Sequence, residues 1–300
     1  MIRDEVLAAF DRQLRREAAP DAPGARVERA GGVVRQVGPE HGWNGVLWSE
    51  LDPGGADGAI AEQVRYFGGL GRAFEWKLYA HDQPADLDRR LLAAGFTAEP
   101  VETVMIAEVA GLDASAGGAP EGVRLVPVTG EEGADLVAAV HERAFATDPE
   151  PTDPATETNT AASAHGIAAA EQAASAHGMA PAQQAAPAQG VAREQVRRRL
   201  LDQLAAGTAI AVLAMAGDVP ISAARMDMHP GTRFASLWGG GTVPEWRGRG
   251  VYRALVAYRA REAAARGYDY LQVDASSQSR PILLRLGFAP LTTTTPYVHP

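Results

Sequence analysis

Residues Trp238 to Arg253 read WGGGTVPEWRGRGVYR. An apolar run, FASLW from Phe234 to Trp238, leads into three glycines. Thr242, Val243 and Pro244 follow, then Arg247-Gly248-Arg249-Gly250, and a helical pattern begins at Val251. A strand, a glycine-rich turn and a helix in that order expose backbone N–H groups at the positive end of a helix dipole, because glycine puts no Cβ in the way. Two arginines in the same turn add fixed charge. The stretch suits a pyrophosphate. A solvated Gly/Arg turn would account for the loop, but for neither the strand before it nor the long helix after it.

Three phosphate-loop designs compete. A Walker loop, G-x-x-x-x-G-K-[ST], needs a lysine that does not follow these glycines. A Rossmann loop, G-x-G-x-x-G, is matched by Gly248 and Gly250 but has Arg253 where the third glycine should allow close helix packing. Asp274 stands roughly 20 residues further on, where a ribose-binding carboxylate would sit, and keeps that reading alive. The third design is an acyl-CoA loop. PEWRGRGVYRALV resembles the [QR]-x-x-G-x-[GA] signature of the GCN5-related N-acetyltransferases, with Arg247 in the first position and Gly250 in the fourth. The sixth position is Tyr252 rather than Gly or Ala. SRPILLRLGF, Ser279 to Phe288, is similar to the family's later helix ending in Gly-Phe. The resemblance covers about residues 120–300. It implies a mixed α/β sheet, acetyl-CoA as co-substrate and transfer of an acetyl group to a primary amine of a small molecule or peptide.

At 300 residues and 46% apolar composition the chain can bury one large core or two ordinary ones. Its net charge of −9 disfavours nucleic acid and anionic membranes as partners. No apolar run reaches the length of a membrane span. Residues 1–20 carry several charges and no continuous apolar segment, so no signal peptide is read and the cytoplasm is the default location. There is no cysteine, which removes disulfides, thiol nucleophiles and Cys-ligated metals. Lys77 is the only lysine among 28 basic residues, from which no function is read.

The first half repeats the second. FEWKLYAHDQPADLDRRLLAAGF, Phe74 to Phe96, parallels RGYDYLQVDASSQSRPILLRLGF, Arg266 to Phe288. Each holds a strand, a carboxylate (Asp82, Asp274), a helix with a Leu-Leu pair, then Gly-Phe. Two tandem acetyltransferase-like domains are expected, at 1–115 and 120–300. The first is degenerate: Asp52-Pro53-Gly54-Gly55 stands where an Arg-Gly loop should be. It serves either as scaffold or as a wall of the acceptor site. Between the second domain's first helix, Glu131 to Phe145, and the next, Glu194 to Ala206, lies an Ala/Pro/Gln-rich insert at about 147–190 with imperfect twelve-residue repeats. His165 and His177 recur with those repeats and lack the convergent partners a metal site needs.

Three strand candidates, Ala209–Ala216, Ile221–Met228 and Arg233–Trp238, are joined by short turns, which implies an antiparallel meander running into the loop. In the helix from Val251 to Arg266, Val251, Ala254, Leu255 and Tyr258 are expected against the sheet, and Arg259, Arg261 and Glu262 in solvent.

By resemblance, the backbone of Gly248, Arg249, Gly250, Val251 and Tyr252, with the side chains of Arg247 and Arg249, would hold the CoA pyrophosphate. Thr242 and Val243 would flank the pantetheine arm and bond the acetyl carbonyl, which stabilises the oxyanion. Transfer to an amine also needs a base and an acid. The family often supplies a tyrosine acid on the later helix, where this chain has Leu283. Tyr297 is the acid favoured here, with Tyr252, Ser276 and Ser277 as alternatives. Glu245 and Asp274 are the candidate bases, unless they are an exposed loop charge and a helix cap. A protein that binds CoA without turnover is the competing function.

Overall fold

The computed structural model describes residues 3–39, 42–112, 118–145 and 189–300. The insert and its two histidines therefore lie outside the described residues, apart from the insert's last two positions. The first half comprises α1 (Arg3–Phe10), β1 (Arg26–Ala30), β2 (Val33–Val37), β3 (Gly45–Ser49), α2 (Ala56–Gly69), β4 (Phe74–Tyr79), α3 (Leu87–Ala93), β5 (Thr97–Ala98) and β6 (Glu102–Glu108). The second comprises β7 (Val123–Pro127), α4 (Glu131–Phe145), α5 (Gln189–Ala205), β8 (Ala209–Ala216), β9 (Val219–Met228), β10 (Phe234–Thr242), α6 (Val251–Ala265), β11 (Tyr270–Ala275), α7 (Arg280–Arg285) and β12 (Ala289–His299).

The strands form one mixed sheet in the order β1-β2-β3-β4-β12-β6-β11-β10-β9-β8-β7, with β5 beside β12. The expected meander is present: β7, β8, β9 and β10 pair antiparallel in sequence order. Among the described residues, the parallel contacts are β3 with β4 and β10 with β11, one in each half, as in a duplicated fold. The last strand of each half lies inside the other's territory. β6 pairs with β11, from Tyr270↔Glu108 to Ala275↔Thr103. β12 pairs with β4, from Thr294↔Tyr79 to His299↔Phe74, and also with β6. The halves are thus interlocked through main-chain hydrogen bonds.

Side chains alternate across this sheet. Under α6 and α7, one face carries an apolar core: Met105, Ala107, Leu237, Leu271 and Val273 meet Val256, Ala260 and Leu283. On the opposite face, Val6 and Phe10 of α1 cover Phe234, Tyr270, Val104 and Ile106, and α4 and α5 cover Ala211, Leu213 and Ala223. The first half has its own core of Val37, Val46, Ile60, Phe67, Phe74 and Trp76, to which Tyr297 belongs.

Arg259 corrects one expectation. It is 1% exposed rather than solvated. Residue 259 falls one turn beyond Leu255 on the sheet-facing stripe of α6. There β10 bulges between Trp238 and Gly241 opposite Arg225 and Ala223 of β9. The Arg225 carbonyl accepts from Arg259 Nη1 at 3.0 Å, and Arg259 Nε donates to the Leu255 carbonyl at 3.1 Å. Burial pulls the Arg259 pKa down to about 10.

Candidate active site

The site begins where two strands part. β10 and β11 pair only at Phe234↔Tyr270, Ala235↔Leu271 and Ser236↔Gln272. Two residues further along the same face stand Trp238 on β10 and Asp274 on β11, with no ladder between them. β10 then runs through its bulge to Thr242 and into the loop.

The loop turns once over Pro244–Trp246, with the Trp246 N–H on the Val243 carbonyl at 3.0 Å. Gly248 and Gly250 follow at φ +71° and +82°. A Cβ at Gly248 would meet nothing within 4 Å, and one at Gly250 only Arg253 Nη2 at 3.8 Å. Glycine is required at both for the left-handed backbone rather than for space. Gly250 is the N-cap of α6 and, as glycine, offers no capping side chain. The first turn of a helix has N–H groups with no partner inside the helix, at the positive end of its dipole. A helix start of this kind presents donors suited to a phosphate.

The arginines divide their work. Arg247 Nε donates to the Thr242 carbonyl at 3.1 Å and Nη2 to the Ala144 carbonyl at 2.9 Å, tying the loop to β10 and α4. Arg249 is exposed and its guanidinium lies 4.9 Å from the Trp246 ring centroid. Arg253, read in the sequence only as a missing glycine, is exposed beside Gly250 and is a further cation for an anion there. The polar groups of Thr242 and Val243 are engaged with β9: Thr242 Oγ1 lies 2.9 Å from Ser222 Oγ, and the Val243 N–H bonds the Ile221 carbonyl at 2.9 Å. Val251 is buried, and the Tyr252 side chain packs in the apolar core with Ala275 and Leu283 rather than facing the loop.

On the face opposite α6, the ends of the central strands carry charge. Lys77 of β4 forms an ion pair with Asp274 of β11. Gln272 Nε2 donates to the other Asp274 oxygen at 2.7 Å. The Lys77 ammonium lies 5.8 Å from the Trp238 ring centroid. Burial works against the Lys77 charge, but Asp274, Tyr79, Glu102 and Glu75 outweigh it and hold the ammonium well above its ordinary pKa. Burial also raises the Glu75 carboxyl, which accepts from Trp43 Nε1 at 3.1 Å. Glu102, the first residue of β6, is 2% exposed and its Oε1 has no hydrogen-bond partner. Burial, reinforced by Asp274 and Glu75 and opposed by Lys77, pushes its carboxyl up to about 8. A buried acceptor without a donor costs roughly 1–3 kcal/mol.

The candidate acids and bases are thus dispersed. Asp274 is in this cluster, bound by Lys77 and Gln272, and is not a helix cap. Glu245 stands on the exposed loop, 3.6 Å from Arg143 of α4. Tyr297 pairs with Trp76 and Ala98 and is buried in the first half's core, so the structure does not bring it to the gap between β10 and β11. Leu283 is fully buried, Ser276 Oγ accepts from the Ser279 N–H at 3.3 Å, and Ser277 is exposed. Lys77 and Glu102 were missed in the sequence. Alternation does put Glu102 on a face with Val104 and Ile106, but only the strand order brings that face to Asp274. Among the described residues no cluster of potential ligands could hold a metal ion, and no helix is long and apolar enough to cross a membrane.

The first half has Asp52-Pro53-Gly54-Gly55 in place of an arginine–glycine loop. β3 and β4 pair only at Gly45↔Glu75 and Val46↔Trp76, ahead of α2. There Asp52 Oδ1 accepts from the N–H groups of Gly54 at 2.8 Å and Gly55 at 2.9 Å. The chain's own carboxylate thus satisfies two N–H groups just ahead of α2.

Three solved structures share this architecture. A GCN5-related N-acetyltransferase from Kribbella flavida matches with a TM-score of 0.63 at 18% identity, over 100% of this chain and 96% of that one. A tandem protein of the same family from the clavulanic acid biosynthesis pathway matches at 0.55 and 15%, over 99% and 95%. A GCN5-related N-acetyltransferase from Sphaerobacter thermophilus matches at 0.53 and 12%, over 91% and 82%. No protein-family model matches the sequence, and no curated protein does.

Proposed function

We propose that this chain, whose fold is that of the tandem GCN5-related N-acetyltransferases, transfers an acetyl group from acetyl-CoA to a primary amine of a small molecule or peptide. The observation that carries this reading is the loop from Gly248 to Gly250. Its two left-handed glycines open a helix with no capping side chain at its N-cap, immediately after two parallel strands part. In this reading the first-turn N–H groups of α6, with Arg249 and Arg253, bind the pyrophosphate of acetyl-CoA. Arg247 positions the loop. The gap between Trp238 and Asp274 admits the acetyl group, and the amine approaches from the charged face. When bound, acetyl-CoA supplies the activated acyl group; the chain's residues orient it and handle the amine's proton.

Leu283 supports a second reading. It is fully buried at the position where the resemblance implies a tyrosine acid. A CoA-binding protein without turnover would tolerate that residue. Thiol release from acetyl-CoA across a panel of primary amines, measured beside acetyl-CoA affinity, separates the two. Transfer to any amine supports the enzyme; binding with no thiol release for any amine supports the second reading.

A further inference from the structure

We propose that the first half supplies the proton-accepting carboxylate of the acceptor site: Glu102, carried by β6 into the sheet of the second half. The inference rests on the acetyltransferase reading and names a residue for it. β6 is the neighbour of β11, and Glu102 opens that strand at the end where β10 and β11 have parted. Its side chain is buried, yet Oε1 has no donor. Two neighbouring carboxylates already have donors, Asp274 from Lys77 and Gln272 and Glu75 from Trp43, and Glu99 is only half-buried. An ammonium entering from the charged face would supply the donor that Oε1 lacks.

The charges acting on Glu102 are those of Lys77, Asp274, Glu75 and Glu99. With Lys77 matched by Asp274, the remaining charge is negative. The site therefore favours a cationic amine with no carboxylate or phosphate beside the reacting nitrogen. A carboxyl titrating near 8 is poised to take an ammonium proton at neutral to mildly alkaline pH. In the step, the ammonium gives one proton to Glu102. The free amine then forms a C–N bond to the acetyl carbon as the C–S bond breaks. The nitrogen's second proton goes to the departing sulfur, leaving an amide, free CoA thiol and protonated Glu102.

The test compares the full chain with Glu102→Gln and Glu102→Asp. Acetyl-CoA affinity is measured by calorimetry. CoA release is followed from pH 6 to 10 with 1,4-diaminobutane, benzylamine and 4-aminobutanoate. The wild-type rate should rise with an apparent pKa near 8, and the diamine should be preferred to the amino acid. Glu102→Gln should lose about 10²–10⁴-fold in rate, with acetyl-CoA affinity unchanged. Its deficit should shrink toward pH 10, where more of the amine is already neutral, and Glu102→Asp should recover part of the rate. A Glu102→Gln variant at wild-type rate overturns the assignment while leaving the acetyltransferase reading intact. Equal loss at every pH, or preference for the amino acid, also overturns it. Bound acetyl-CoA with no transfer by the wild type to any of these amines counts against the acetyltransferase reading, and the assignment falls with it.

Discussion

Lys77 of β4 and Asp274 of β11 form an ion pair across the interlocked sheet, one residue from each half of the chain. The Asp274 side chain is 2% exposed and that of Lys77 15% exposed. Removing one partner of such a pair leaves an uncompensated charge, which costs more than the pair contributes.

Asp274→Asn should therefore destabilise the fold by about 3 kcal/mol in denaturant unfolding. Lys77→Met combined with Asp274→Leu should cost clearly less than the two single changes added. Strict additivity would mean that the pair is not coupled in solution.

Glu102 makes stability depend on pH. Its carboxyl titrates near 8 in the fold, against 4.5 ordinarily. The native state thus holds the proton more tightly than the unfolded chain. The penalty for ionising Glu102 is absent below about pH 4.5, grows as pH rises, and is complete above about 8. Glu102→Gln should melt like the wild type at the acid end and several degrees higher at pH 9. A melting-temperature difference that does not change with pH would contradict the burial assigned to this side chain.

Asp52 accepts from the N–H groups of Gly54 and Gly55 just ahead of α2. Asp52→Ala should cost about 1 kcal/mol, as for loss of a helix-capping side chain. Thermal melting gives the stability, and calorimetry should still return one acetyl-CoA per chain. A second site appearing in this variant would show that Asp52 alone had closed the first half.

The strand exchange predicts that residues 120–300 will not fold alone. Without β6, the edge of β11 from Tyr270 to Ala275 is bare, and β12 has lost β4. Unpaired edges of this kind associate. Size-exclusion chromatography should show aggregate; a monomer with a cooperative melt would contradict the interlock.

Much of the fold was legible because its signals are local. The meander followed from short turns at Gly217-Asp218 and His229-Pro230-Gly231, and the loop from Gly248 and Gly250. Glu131–Phe145 and Ala209–Ala216 stand at the boundaries read from periodicity and apolar runs. The charged face was not legible, because it depends on strand order. Nothing near Phe74 or Glu102 announces that β12 inserts between β4 and β6, or that β6 reaches β11. The position of Tyr297, expected as an acid, also depends on strand order: its partners are Trp76 and Ala98. The burial of Arg259 depends on an acceptor on another strand, the Arg225 carbonyl, which leaves no mark in a helical pattern.

The central claim is that one loop in the second half binds acetyl-CoA. Titration calorimetry of the wild type and Gly250→Glu tests it most directly. The substitution places a carboxylate at the phosphate position and a side chain on a left-handed backbone at φ +82°. The wild type should bind one acetyl-CoA per chain, and the variant should bind none while its circular dichroism spectrum is retained. Two equivalent sites in the wild type, or unchanged affinity in Gly250→Glu, would contradict the account.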